Sequence, residues 1–275
     1  MVRMLLSFSI CVSLLCAAGA QANGFEDEVL FLMAKRSDCA GDLCYYGEIE
    51  ISAAAATAVK MWDPGSSTWQ DFESYAGESE WWVETPEFDT LEELNGFAGN
   101  VANIRLYSGA DYAAYSFTVN AIAAEAFPVM PEITPDPFLV TVPQDHTFTW
   151  TWGGSTNDVD ELCVEVDVDP AGFYADANFM NGGIALDATS WNPGISGTGS
   201  GEFLVSYGAL TPGLITGWQY LPAESTAADL FDFAGEDGLV RGLCSEDKAC
   251  FEVVPEPATL ALLAIGGLGL IRRKR

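Results

Sequence analysis

The clearest periodicity in the chain lies where Leu162, Val164, Val166 and Val168 alternate with Cys163, Glu165, Asp167 and Asp169. Successive side chains of a strand point to opposite faces, so this pattern predicts a half-buried strand with its charged positions turned to water. Phe148, Trp150 and Trp152 alternate in the same way with Thr147, Thr149 and Thr151; Tyr115, Phe117 and Val119 form a third run, and Glu48-Ile49-Glu50-Ile51 belongs to a fourth. Further strands are expected at Val29 to Met33, Val59 to Trp62, Phe138 to Val142, Phe203 to Tyr207 and Leu214 to Tyr220, with Gly and Pro clusters between them. One helix is expected. Thr90-Leu91-Glu92-Glu93 has the spacing of a capping box, and Leu91 and Leu94 can dock inward. Short strands separated by turn residues predict an all-β chain of two β-sandwich-like domains.

The division between them is expected where Pro128, Pro131, Pro135 and Pro137 crowd together, because a stretch so poor in backbone donors cannot lie inside a sheet. This makes 23–127 a first β-rich domain, 128–137 a proline-rich linker and 138–254 a second β-sandwich domain, each long enough for its own core. The second half, with Phe148-Thr149-Trp150-Thr151-Trp152 followed by Leu162-Cys163-Val164-Glu165-Val166, resembles an immunoglobulin or fibronectin type III sandwich. That resemblance informs the fold, and a fold alone does not carry a function.

The two ends break the pattern. Arg3 precedes an apolar run from Met4 to Ala18, and Ala20-Gln21-Ala22 supplies small residues for a signal peptidase, so residues 1–22 read as a signal peptide cleaved after Ala22. At the other end, Val254-Pro255-Glu256-Pro257 leads into an uncharged stretch, Ala258 to Ile271, and then Arg272, Arg273, Lys274 and Arg275. Prolines on both sides of Glu256 oppose helix and inner strand, leaving an extended peptide for a processing enzyme to grip. The uncharged stretch spans about 21 Å as a helix, against a hydrocarbon core of about 30 Å. The four terminal cations favour the cytoplasmic side and leave the body outside. This ending resembles the PEP-CTERM sorting domain of bacteria that carry an exosortase and make extracellular polysaccharide. The resemblance implies that Pro255, Glu256 and Pro257 form the motif recognised by an exosortase-like enzyme in residues 255–275. It further implies that Ala258 to Ile271 is a single, transient membrane-spanning helix and that Arg272 to Arg275 are its stop. These residues are acted upon and are not catalytic.

All forty acidic residues lie between Asn23 and Pro257, where Lys35, Arg36, Lys60, Arg105, Arg241 and Lys248 oppose them; forty against six leaves minus 34. Such a body is repelled by nucleic acid and by anionic lipid, and no nucleic-acid partner is expected. Without Cys11 and Cys16 of the signal peptide, five cysteines remain. Cys39 and Cys44 enclose four residues and Cys244 and Cys250 enclose five, so each pair is expected to close a small disulfide loop, leaving Cys163 a buried free thiol. Their spacing fits no zinc finger or ribbon.

Catalytic machinery is sparse. His146 is the single histidine and reads as part of a polar turn, Gln144-Asp145-His146, which argues against Ser-His-Asp or Cys-His chemistry and against histidine metal clusters. A glycoside hydrolase needs only two suitably spaced carboxylates, but among forty acids no pair stands out. Asp158, Asp160 and Glu161 offer hard oxygen ligands, making calcium the one cofactor suggested, although an EF-hand glycine loop is absent; Asp229, Asp232, Glu236 and Asp237 form a second acidic cluster. Trp62, Trp69 and the adjacent Trp81-Trp82 lie near Gly and Ser, and exposed tryptophan faces would suit an extracellular polysaccharide. If Trp81 and Trp82 lie in a strand they face opposite sides, and one is available for exposure. The expected protein is an exported, non-enzymatic, structural or adhesive component of the cell surface or extracellular matrix. A carbohydrate-binding module is the first alternative and a secreted glycoside hydrolase the second.

Overall fold

Every alternating run named above forms a strand in the computed structural model. The structure describes residues 28–254 apart from 64–66, 75–79, 99–100, 135–137, 144, 180–181, 228–229 and 232–238. The expected signal peptide with Ala20 and Ala22, the sorting segment from Pro255 to Arg275, and Asp229, Asp232, Glu236 and Asp237 lie outside the described residues. No helix among the described residues is long and apolar enough to cross a membrane.

The largest sheet has nine strands: β1 (Glu28–Ser37), β2 (Leu43–Ser52), β5 (Glu73–Ser74), β6 (Glu80–Glu84), β10 (Phe138–Pro143), β12 (Glu161–Asp169), β13 (Phe173–Asn178), β15 (Gly199–Leu210) and β17 (Leu239–Val254). Its order is β13-β12-β15-β17-β1-β2-β6-β5, with β10 also paired to β17. A five-stranded sheet contains β3 (Ala58–Asp63), β4 (Thr68–Asp71), β7 (Val101–Ser108), β8 (Asp111–Val119) and β16 (Ile215–Tyr220), in the order β16-β8-β7-β3-β4. A three-stranded sheet contains β9 (Glu132–Thr134), β11 (Phe148–Thr151) and β14 (Ser190–Trp191), in the order β14-β11-β9.

Two apolar cores form against one face of the long sheet. In the first, Val29, Phe31 and Met33 of β1 with Ile49 and Ile51 of β2 pack against Met61, Ile104, Leu106 and Phe117 of the five-stranded sheet. The helix α1 (Leu91–Ala98) adds Leu94 to this core. Its start is capped as its sequence predicts: the Glu93 N–H donates to Thr90 Oγ1 at 3.3 Å and the Thr90 N–H to Glu93 Oε2 at 3.1 Å. A cap of this kind contributes about 1 kcal/mol. In the second core, Leu162, Val164, Val166 and Val168 of β12 meet Phe203 and Val205 of β15 and Phe148 and Trp150 of β11. Trp150 Nε1–H donates to Tyr207 Oη at 3.1 Å, so its one polar atom is satisfied within the core.

The chain does not part cleanly at 128–137. β16 and β17 follow the prolines in sequence, yet Ile215 and Leu243 complete the first core, and β17 pairs in parallel with β1 from Val29↔Leu239 to Ser37↔Asp247. A parallel pair needs a long crossover, and here nearly the whole chain supplies it. Glu132–Thr134, between Pro131 and Pro135, is also an edge strand, the place in a sheet where neighbouring prolines are tolerated.

The expected disulfide loops are corrected by the same pairing. The bond is Cys39–Cys250, with Cα atoms 5.4 Å apart, while Cys44 and Cys244 are free thiols. Cys163, expected to be free, is disulfide-bonded. Residues 245–249 are not a loop but the middle of β17, and six residues of strand separate Cys244 from Cys250 by about 20 Å, too far to bridge. The parallel register that ends at Ser37↔Asp247 instead carries Cys39 alongside Cys250. Cys44 lies within β2 opposite Arg36, while Asp38 Oδ1 accepts the N–H groups of Ala40 and Asp42 at 2.8 and 2.9 Å and folds the intervening turn.

The far face of the long sheet is a second departure. The alternating Glu48, Glu50 and Glu165 were expected to meet water, but each is at most 2 % exposed. Leu30, Leu32, Ala34, Tyr46 and Cys244 form an apolar cluster on that face, and this burial leaves the carboxylates little access to water.

Candidate functional site

The outer face of the five-stranded sheet gathers aromatic and cationic side chains in a row. On β3 and β4, Trp62 lies directly opposite Trp69, their ring centroids 5.6 Å apart and their planes at 64°. Lys60, two residues from Trp62 and therefore on the same face, opposes Asp71 on one side and Arg105 of β7 on the other. Its Nζ lies 2.7 Å from Asp71 Oδ1. β7 and β8 form a hairpin through Gly109-Ala110, with Gly109 at φ 65°, the region that favours glycine. The turn sets Tyr107 opposite Tyr112, with centroids 5.2 Å apart.

Arg105 joins these pairs. Its guanidinium carbon sits 4.2 Å from the Trp69 ring centroid and 4.6 Å from that of Tyr112, within cation–π range of both. Its Nε is buried without a hydrogen-bond partner, and among the described residues no carboxylate is paired with it. Trp62, Trp69, Arg105, Tyr112 and Tyr107 thus form a continuous, half-buried row. Because the rings contact one another and the guanidinium, the row presents edges and outer flanks to a ligand.

A second constellation lies on the far face of the long sheet. Glu246 Oε2 accepts from Arg36 Nε at 3.2 Å and from Tyr46 Oη–H at 2.9 Å, and Cys244 Sγ lies 3.4 Å from its Oε1. Glu48 is fully buried, lies opposite Glu84 across β2 and β6, and has no hydrogen-bond partner at either carboxylate oxygen. Burial, with Glu84, Glu50 and Glu246 nearby, pushes its proton affinity well above the usual carboxylate range. Glu165 is raised well above that range, mainly by burial and then by Glu246. Burial, with a smaller contribution from Asp160, pushes Glu161 up to about 8. The free thiols shift the same way: burial pushes Cys44 up to about 11 and Cys244 well above the ordinary thiol value, so both remain protonated and weakly nucleophilic at neutral pH.

The other residues singled out in the sequence are placed as follows. Trp81 is half-buried and packs against the first core, while Trp82 is 5 % exposed on the far face, so the adjacent pair faces opposite sides of the strand and the outward member is the buried one. Asp158 and Asp160 are exposed while Glu161 is 3 % exposed, and Asp160 Oδ2 accepts the Leu210 N–H at 2.7 Å. These three do not converge. Among the described residues, the one group of three side chains with ligand atoms close enough to share a metal is Cys39, Glu202 and Cys250, and its two sulfurs are already bonded to each other. His146 packs edge-on against Phe148, with centroids 4.8 Å apart.

The sequence contained Trp62 and Trp69 as candidates but did not connect them to Arg105, Tyr107 or Tyr112. A signal was present: Gly109-Ala110 is a two-residue hairpin turn, and Tyr107 and Tyr112 are equally distant from it.

In comparisons with known proteins, the family model described as the PEP-CTERM protein-sorting motif matches residues 253–275. No curated protein matches the chain. A solved structure titled "Cytokine receptor complex - Crystal form 1A" is similar over 66 % of this chain and 93 % of that one, at 15 % identity and a TM-score of 0.21, too low to establish a shared fold. The sorting motif implies an exported protein that is recognised by an exosortase and held at the membrane before processing.

Proposed function

We propose that this chain acts outside the cell as a non-enzymatic adhesive or matrix protein, and that it holds extracellular polysaccharide on the outer face of its five-stranded sheet. The observation that carries this reading is the row of Trp62, Trp69, Tyr107 and Tyr112 on one outward face. Large aromatic side chains are ordinarily drawn into a core, and a contiguous group of them at a surface marks an interaction site. Sugar rings have apolar C–H faces and polar rims, which suit aromatic flanks bordered by Lys60 and Asp71. Glu48 and Glu165, whose proton affinity burial raises well above the ordinary range, lie on the far face of the long sheet and not beside the aromatic row. This favours a binding protein over a hydrolase.

Retention on the producer's own exopolysaccharide tests the surface. The Trp62→Ala/Trp69→Ala double variant is expected to lose at least nine-tenths of wild-type retention, roughly the loss of 1.4 kcal/mol or more, while Trp191→Phe in the second core retains it. Equal retention of the double variant would remove the five-stranded sheet from consideration.

The sorting arm predicts a change in mass. The chain recovered from cells with their exosortase is expected to start near Asn23 and to lack the segment beyond Pro257; the same strain without the enzyme should keep the basic tail. Intact-mass measurement of both forms decides between transient and permanent anchorage.

A further inference from the structure

Resting on the proposed polysaccharide surface, we infer that its ligand is an acidic polysaccharide, a polymer of sugar rings bearing carboxylates, and that Arg105 is the residue that selects it. Lys60 and Arg105 stand directly opposite each other on neighbouring strands and project to the same face. Like charges in that arrangement repel and destabilise a sheet unless an anion lies between or beside them. One anion is present: Asp71 lies 2.7 Å from Lys60 Nζ. Among the described residues Arg105 has no such partner, although the body around it contains forty acids against six cations.

Two aromatic rings hold the guanidinium. Trp69 at 4.2 Å and Tyr112 at 4.6 Å limit its rotation, so the entropy of fixing a long side chain has largely been lost before a ligand arrives. Arginine presents a planar fork matched to the two oxygens of a carboxylate. Trp69 and Tyr112 flank that fork, placing a charge-selective group within a line of ring-binding ones. A uronic acid has the same combination, a ring with a carboxylate attached. A neutral glucan would use the aromatic flanks and leave the arginine unanswered, whereas an acidic peptide would use the arginine and leave the flanks idle.

The body's net charge of minus 34 does not cancel this attraction at the surface. At physiological ionic strength the screening length is about 8 Å, so acids farther than that from a bound carboxylate are largely screened from it. Repulsion from more distant acids slows the approach of the polymer more than it alters the contact.

The test uses the exported chain recovered from its native envelope or medium and three probes: polygalacturonate, the same polymer with its carboxyl groups reduced to alcohols, and polyglutamate. Binding is measured by calorimetry on variants whose melting temperatures match the wild type. Wild-type affinity for polygalacturonate is expected to exceed that for either other probe by at least tenfold. Arg105→Gln should weaken polygalacturonate binding at least tenfold and leave binding to the reduced polymer within twofold. Arg105→Lys, which keeps the charge but loses the fork, should recover only part of it. Asp71→Asn should tighten binding severalfold by releasing Lys60. Equal affinity for the native and reduced polymers would overturn the selection of acidic sugars while leaving the polysaccharide surface in place. Equal affinity for polyglutamate would show a site that reads charge alone and overturn the inference. Failure to bind either sugar polymer would overturn the inference, and the reading on which it rests falls with it only if the producer's own exopolysaccharide is not retained either.

Discussion

Replacing Cys39 with serine is expected to lower the unfolding free energy by roughly 4 to 5 kcal/mol, because its disulfide closes a loop of 211 residues. The cross-link restricts the unfolded chain over most of the body. In the folded state it joins the turn after β1 to the last part of β17, beyond the end of their parallel ladder. Cys250→Ser should cost the same, and the double variant no more than either single one, since all three remove one bond. Urea unfolding of these variants, compared with the wild type in reductant, measures the effect. Wild-type stability in a single variant would mean that the long-range bond does not form in the exported protein.

Stability is also expected to fall as pH rises from about 4.5 to about 8, the window set by Glu161. The sign follows from its raised proton affinity. In this interval the unfolded chain releases the proton from Glu161 while the folded chain retains it, so raising the pH favours unfolding. The contribution is fully present below about 4.5 and lost as pH rises through about 8. Each carboxyl in such a window steepens the dependence by up to about 1.4 kcal/mol per pH unit. Glu48 and Glu165, both raised well above the ordinary value, act in the same direction. Repulsion among the exposed acids also favours unfolding, but it develops mainly as ordinary carboxyls ionise below about pH 6. The slope between pH 6 and 8 therefore reports the buried carboxyls, offset by His146, whose proton affinity burial lowers and which favours the folded state as pH rises. Glu161→Gln should flatten it by about one carboxyl's share, and Glu48→Gln should raise stability at neutral pH by removing an unpaired buried acid. A wild-type curve that is flat from pH 6 to 8 would show that these groups meet water.

Much of the all-β architecture was legible because the relevant signal is local. Alternation at 162–168 and 148–151 placed Val164, Val166, Phe148 and Trp150 correctly in a core. Thr90 and Glu93 marked a helix start because a capping box needs only four consecutive residues. β17 shows where that logic stops. Its middle, Ser245 to Ala249, was expected to be a small loop closed by Cys244 and Cys250, yet it is an inner strand paired with both β1 and β15. Partners from distant parts of the chain satisfy its backbone and its charges: Arg36 reaches Glu246 at 3.2 Å, and the Ile133 N–H reaches Asp247 Oδ2 at 2.7 Å.

The candidate surface divides in the same way. Trp62 and Trp69 were visible as aromatic residues, but whether a tryptophan faces a core or a solvent-facing row depends on which side of its strand another sheet covers. Trp62 and Trp69 lie on the outer side, away from the core that Met61 enters, and Trp82 lies on a buried one. Arg105 was visible only as one of few cations; its position between Trp69 and Tyr112 requires β3, β4, β7 and β8 to be in register.

By itself, the sequence determined the strand content, the helix cap, the excess of acid and the sorting motif, because each is a property of neighbouring residues or of composition. The tertiary structure decided the Cys39–Cys250 bond, the burial of Glu48 and Glu165, and the assembly of the Trp69–Arg105–Tyr112 row. Those outcomes depend on pairings between segments far apart in the chain, where a shift of one residue would turn every side chain to the opposite face.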